Sequence, residues 1–182
     1  MTQKEILKLL SEQEILFVLI GGVAMRIHNS PRVTHDIDLA VRILDVDKII
    51  DVLYPRSYFL VTEIQDNSVH IKRDPGEAKT WIEKSRAGSA SFLQTRNPPN
   101  EDAVPFDEII VTSQVDFLFE LGIPITRLAN SALTIELGDF YFKTASAQDL
   151  LFLKQQRKDK DEADYDDIRF LEKLLKNNLP PA

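Results

Sequence analysis

The chain contains no cysteine, which excludes disulfides, thiolate metal sites and a cysteine nucleophile. Glycine is scarce, with six in 182 residues against roughly thirteen at an average usage of about 7%. Two of the six are adjacent, Gly21 and Gly22, and a chain this sparing with glycine has a use for both. Long apolar runs are missing. The longest, Ile15 to Met25, falls short of the ~20 residues of a spanning helix. Lys4 and Lys8 precede it, but so do Glu5, Glu12 and Glu14, and no small-x-small cleavage site follows closely, so it does not read as a secretion signal. A cytoplasmic protein with no membrane partner is expected. Basic residues are outnumbered, 22 to 29, for a net charge of −7. This excludes a broad basic face that coats nucleic acid, though not a local basic groove. At 43% hydrophobic and 28% charged, the composition is that of a soluble globular chain. Its length suits one domain with a real core.

Apolar patterning predicts helices over residues 2–13, 23–28, 45–53, 146–158 and 161–176. Strands are expected at 15–20, 36–41, 58–63, 68–72, 109–119, 134–137 and 141–143, with Asp66-Asn67 as one turn. Ser146 reads as an N-cap with Asp149 three residues on, and Asp161 as the cap of the last helix, which Asn177-Asn178 and Pro180-Pro181 end. The pattern implies an α/β or α+β fold, with a core over 1–145 and C-terminal helices over 146–182 packed on it. Residues 73–107 read as an insertion, partly mobile, with a short helix near 79–84. Residues 72–96 hold six bases and three acids, interleaved with Trp81 and Phe92. That pattern is compatible with gripping RNA and equally with a solvated loop.

The chemistry concentrates in Leu19-Ile20-Gly21-Gly22 and Asp36-Ile37-Asp38-Leu39. A strand that runs through two glycines into a helix exposes backbone N–H groups to phosphate oxygens. Aspartates at i and i+2 of a strand share a face. At about 4 Å two carboxylates repel by roughly 1 kcal/mol in water and about 4 kcal/mol at an effective dielectric of 20. A divalent cation relieves this, and Mg²⁺ favours one or two carboxylates plus phosphates and waters. Neither G-x-x-x-x-G-K-[ST] nor G-x-G-x-x-G is present, which removes the P-loop and the dinucleotide fingerprint.

The glycine pair followed by Asp36-Ile37-Asp38 resembles the polymerase-β-like nucleotidyltransferase superfamily. The longer string, Leu19 to Arg26 and Ser30 to Leu39, is similar to the small bacterial group related to AbiEii-type toxins of toxin–antitoxin systems. Val115-Asp116-Phe117-Leu118 resembles that group's later carboxylate strand. Leu150 to Lys154, Arg157 and Lys160 to Asp164 resemble its lysine-bearing ending. The resemblance implies a mixed sheet flanked by helices, with three carboxylates meeting at its end. It implies that Asp36, Asp38 and Asp116 hold Mg²⁺, or Mn²⁺ in its place, and carry catalysis. Gly21, Gly22 and Ser30 would cradle the phosphates of a nucleoside triphosphate, with Arg32 and Lys154 as counter-charges. The implied reaction moves a nucleoside monophosphate to an RNA (tRNA-like) or protein hydroxyl, with an antitoxin as partner. Glu63 and Glu120 are rivals for the third carboxylate. Many members carry Ser or Thr at or just after the second glycine, where this chain has Val23. That departure keeps open a weakened module that binds nucleotide or a protein. His28, His35 and His70 lack metal-like spacing and read as structural.

Overall fold

The computed structural model describes residues 1–65 and 67–177. Asp66 of the predicted turn, and Asn178 and Pro180-Pro181 of the predicted helix stop, lie outside them. Thr2 caps the first helix, α1 (Gln3–Glu12), in a reciprocal box with Glu5. α1 buries Ile6, Leu7 and Leu10. The chain then enters β1 (Phe17–Ile20), whose four residues are all buried. Next come α2 (Gly21–Ile27), β2 (Ile37–Val41), α3 (Val46–Leu53), β3 (Tyr58–Gln65) and β4 (Ser68–Lys72). They are followed by α4 (Pro75–Ser85), β5 (Ser89–Thr95), β6 (Ala103–Pro105), β7 (Val111–Leu118) and α5 (Ile125–Ser131). The chain closes with β8 (Leu133–Glu136), β9 (Tyr141–Thr144), α6 (Ala147–Gln156) and α7 (Glu162–Asn177).

The strands form one nine-stranded mixed sheet, ordered β6-β4-β3-β5-β7-β2-β1-β9-β8. The pairs β2–β7 and β1–β9 are parallel and the remainder antiparallel. This is the mixed α/β architecture expected. One sheet face presents Leu19, Ile37, Leu39, Val115 and Phe117, all at most 1% exposed, to the main core. Leu150 of α6 and Leu171 of α7 join the same core, so the C-terminal helices share it.

Residues 73–107 carry more regular structure than the sequence pattern suggested. They hold α4, β5 and β6, and β5 pairs with β3 on one side and β7 on the other. Strand β5 is a mixture of Ser, Ala, Phe, Leu, Gln and Thr, without the β-branched run that marks a strand locally. Long-range pairing makes it one. Three of the six basic residues of 72–96 engage partners through their side chains. Lys79 reaches Asp47 and Asp51, and Lys72 reaches Glu77. Arg73 bonds the Asn100 carbonyl. Phe92 is buried, whereas Trp81 is half-buried and packs against the core. Helix α5, which the sequence pattern missed, buries Leu128 and Ala129. Among the described residues no helix is long and apolar enough to cross a membrane.

Candidate metal and nucleotide site

Strand alternation turns Asp38 and Asp116 to the face opposite Ile37, Leu39, Val115 and Phe117. Parallel pairing of β2 with β7 then sets Asp38 directly beside Asp116. Asp36 lies two residues before Asp38, on the same face. The three carboxylates each offer an oxygen within 4.8 Å of the others. Glu63, one rival for the third position, is exposed on β3. The other, Glu120, lines the same cavity without joining the cluster.

Each carboxylate has its own donors. Thr34 Oγ1 donates to Asp36 Oδ1. Asp38 lies against the glycine turn, where the Gly22 amide favours its charged form. Gln114 Nε2 lies 2.9 Å and 3.2 Å from the two oxygens of Asp116, and Ser91 stands directly opposite Asp116 on the neighbouring strand β5. Thr34, Ser91 and Gln114 were not singled out in the sequence. Thr34 lies in the loop before β2, and the only signal for Ser91 and Gln114 is alternation on strands whose pairing is non-local.

Here the glycine pair earns its place. Gly21 has φ +63°, and a Cβ there would overlap the Asp38 carboxylate. A Cβ on Gly22 would come within 2.7 Å of Thr34 Cγ2. The turn is thus pressed against the Asp38 carboxylate and Thr34. Burial is the main cause that raises Asp38 to about 6, with the charges of Asp36 and Asp116 adding to it. The Gly22 amide and Lys154 oppose that rise. Asp116 is raised too, chiefly by burial and then by Asp36, while Ser91 and Gln114 pull it down. A hard divalent cation suits this oxygen-only donor set, and its charge removes the repulsion that burial magnifies.

A cavity of about 630 Å³ opens over the cluster, lined by Gly21, Gly22, Arg32, Lys154 and Arg157 among others. Ser30 is not in its lining; the Ser30 hydroxyl instead accepts the Arg32 amide at 3.3 Å. A larger hollow of about 780 Å³ runs along α4 between Lys72 and Ser85. It is shallow and contains none of the three aspartates, so the chemistry belongs to the smaller cavity.

The two candidate counter-charges arrive already partnered. Lys154 Nζ lies 2.8 Å from Asp164 Oδ1 and 2.8 Å from Asp167 Oδ2. Arg157 reaches Asp164 Oδ1 at 3.0 Å, and Arg32 pairs with Asp167. Burial pushes Asp164 upward, but the Lys154 hydrogen bond and the charges of Lys154 and Arg157 outweigh it and hold the carboxyl below its ordinary range. Asp161 caps α7 through the Asp164 amide at 2.8 Å. Asp164 does more than fill a first turn. It shares the buried stripe of α7 with Asp167 and Leu171, and that three-to-four spacing was the available clue. His28 bonds the Ala145 carbonyl at 2.8 Å, a structural role.

No protein-family model and no curated protein matches the sequence. Solved structures do. An antigenic nucleotidyltransferase-like protein from Paracoccidioides brasiliensis superposes with a TM-score of 0.55 at 14% identity, covering 97% of this chain and 75% of that one. Lincomycin-bound lincosamide antibiotic adenylyltransferase LnuA matches at a TM-score of 0.48 and 17% identity, over 95% of this chain and 98% of that one. The first likeness defines the class: the chain has a nucleotidyltransferase-like fold.

Proposed function

We propose that the chain is an Mg²⁺-dependent nucleotidyltransferase that transfers a nucleoside monophosphate from a nucleoside triphosphate to a hydroxyl of an RNA, tRNA-like in kind, or of a protein. One observation carries this reading: Asp36, Asp38 and Asp116 converge beside Gly21-Gly22, with Lys154 in the wall of the same cavity. Asp36, Asp38 and Asp116 would hold the metal, which supplies charge neutralisation for the attacking and leaving oxygens. Gly21, Gly22, Arg32 and Lys154 bind and orient the triphosphate; Ser30 acts at most through Arg32. The acceptor oxygen forms its bond to the α-phosphorus as the α–β phosphoanhydride breaks, and pyrophosphate departs. Asp116 takes the hydroxyl proton at a carboxylate oxygen, a task suited to a carboxyl raised above its ordinary range. Resemblance to the AbiEii-related group supports a toxin role with an antitoxin partner, in the cytoplasm. Lys154 and Arg157, at the end of α6, supply the cationic wall of the site in this scheme.

The test is incubation with labelled nucleoside triphosphates, Mg²⁺, tRNA and cell extract, comparing wild type with Asp36→Asn/Asp38→Asn. Labelling by wild type alone is expected. Equal labelling by both, or by neither when both are folded, refutes the reading. A second reading has its own support: Lys154 and Arg32 are held by Asp164 and Asp167, and Val23 follows the glycines. A module that binds nucleotide or a protein without turnover fits these facts. Nucleotide binding without Mg²⁺ dependence or pyrophosphate release, measured by calorimetry, would favour it.

A further inference from the structure

Asp116 sits in an awkward electrostatic position. It is partly buried on β7 and faces Asp36 and Asp38 across the β2 edge, where like charge pushes an unrestrained carboxylate to swing away toward water. Yet its neutral polar neighbours come from other directions. Ser91 stands directly across from Asp116 on β5, the strand on the side of β7 away from β2. Gln114 precedes it by two on β7 and therefore shares its face, and the Gln114 amide nitrogen is within hydrogen-bond reach of both carboxylate oxygens. Asp116 is thus flanked by two neutral polar side chains, Gln114 bonded to it and Ser91 directly opposite, that belong to neither the glycine turn nor the α6–α7 wall. Neutral donors also leave the negative charge in place for a cation, which a lysine or arginine at the same spot would cancel.

We propose that Ser91 and Gln114 are positioning residues that keep the Asp116 carboxylate aimed at the cluster for divalent-metal binding. This rests on the reading of Asp116 as a metal ligand. Groups that bond a ligating carboxylate typically govern 10–100-fold in metal affinity. Gln114 comes from β7 itself, whereas Ser91 is brought there only by the placement of β5 between β3 and β7.

The test titrates the full chain with Mn²⁺ alone, followed by electron paramagnetic resonance, with circular dichroism confirming the fold of each variant. Asp116→Asn is expected to lose most of the affinity. Ser91→Ala/Gln114→Ala is expected to lose 10–100-fold, and Ser91→Thr, which keeps the hydroxyl, to bind within about threefold of wild type. Should the double variant not fold, Ser91→Ala and Gln114→Ala singly carry the measurement. If Asp116→Asn abolishes binding while Ser91→Ala and Gln114→Ala leave it within twofold, positioning is wrong and the metal site stands. If Asp116→Asn itself binds like wild type, Asp116 is not a ligand, and the inference falls with the reading beneath it.

Discussion

Replacing Asp38 with asparagine is expected to stabilise the metal-free protein while abolishing its response to metal. Asp38 is half-buried between two other carboxylates, and burial foremost lifts its carboxyl from the ordinary 3.8 to about 6. The sign follows from linkage. A carboxyl whose folded value lies above its unfolded value binds its proton more tightly in the native state. It therefore costs no stability below about pH 4, and the cost grows until the pH has passed about 6. Roughly two pKa units at ~1.4 kcal/mol each make that cost up to about 3 kcal/mol at pH 7.5. For a chain of this size ~1 kcal/mol moves Tm by about 2–4 °C, so Asp38→Asn should melt about 6–12 °C higher in EDTA. Asparagine keeps the shape and an oxygen beside the glycine turn, so little is lost in exchange. The assay is urea and thermal unfolding of both proteins in EDTA from pH 4 to 8, repeated with excess Mg²⁺. Mg²⁺ at about 100 times its Kd should stabilise wild type by about 2.7 kcal/mol and leave Asp38→Asn unmoved. An asparagine variant no more stable than wild type at pH 7.5 in EDTA would refute the electrostatic account. So would a gain that persists undiminished at pH 4.

Three further outcomes are expected. Mn²⁺ affinity of wild type, measured by calorimetry, should rise about tenfold between pH 5 and pH 7, because Asp38 must shed its proton before it ligates; an affinity flat across that window contradicts the assignment. Gly21→Ala should cost about 1–3 kcal/mol in denaturant unfolding, from the left-handed backbone and the displaced Asp38 carboxylate, and should weaken Mn²⁺ binding at least tenfold, whereas a change near zero would mean the turn can move away. Lys154→Met leaves Asp164 and Asp167, at 0% and 4% exposure, without their shared cation and should destabilise the fold by about 3 kcal/mol or more. Since Asp164 sits below its unfolded value, its contribution is present above about pH 4 and lost as the pH falls further. Acid titrations of wild type and Lys154→Met should therefore converge at low pH.

Some of the site was legible because it is local. Alternation alone puts Asp36 and Asp38 on one face of a strand. Only glycine tolerates both the positive φ of Gly21 and the closeness of the Asp38 carboxylate. The caps of α6 and α7, Ser146 and Asp161, act within one helical turn. Strand β5 was not legible, since its residues have no strong local preference and its order comes from β3 and β7 on either side. The same holds for Lys154. Its place near the end of α6 fits a favourable interaction with the helix dipole, but its actual partners are two carboxylates on the next helix.

The sequence by itself determined a glycine turn followed by two like charges on one strand face, because both are consequences of backbone sterics and a two-residue repeat. Only the tertiary structure decided that Asp116 completes the cluster, since a parallel β2–β7 register has no local signature. It also decided that Gln114 bonds that carboxylate with Ser91 directly opposite, and that Asp164 and Asp167 hold the lysine. Hydrogen bonds and buried ion pairs act over about 3 Å, and it is the fold that brings these distant residues within that reach.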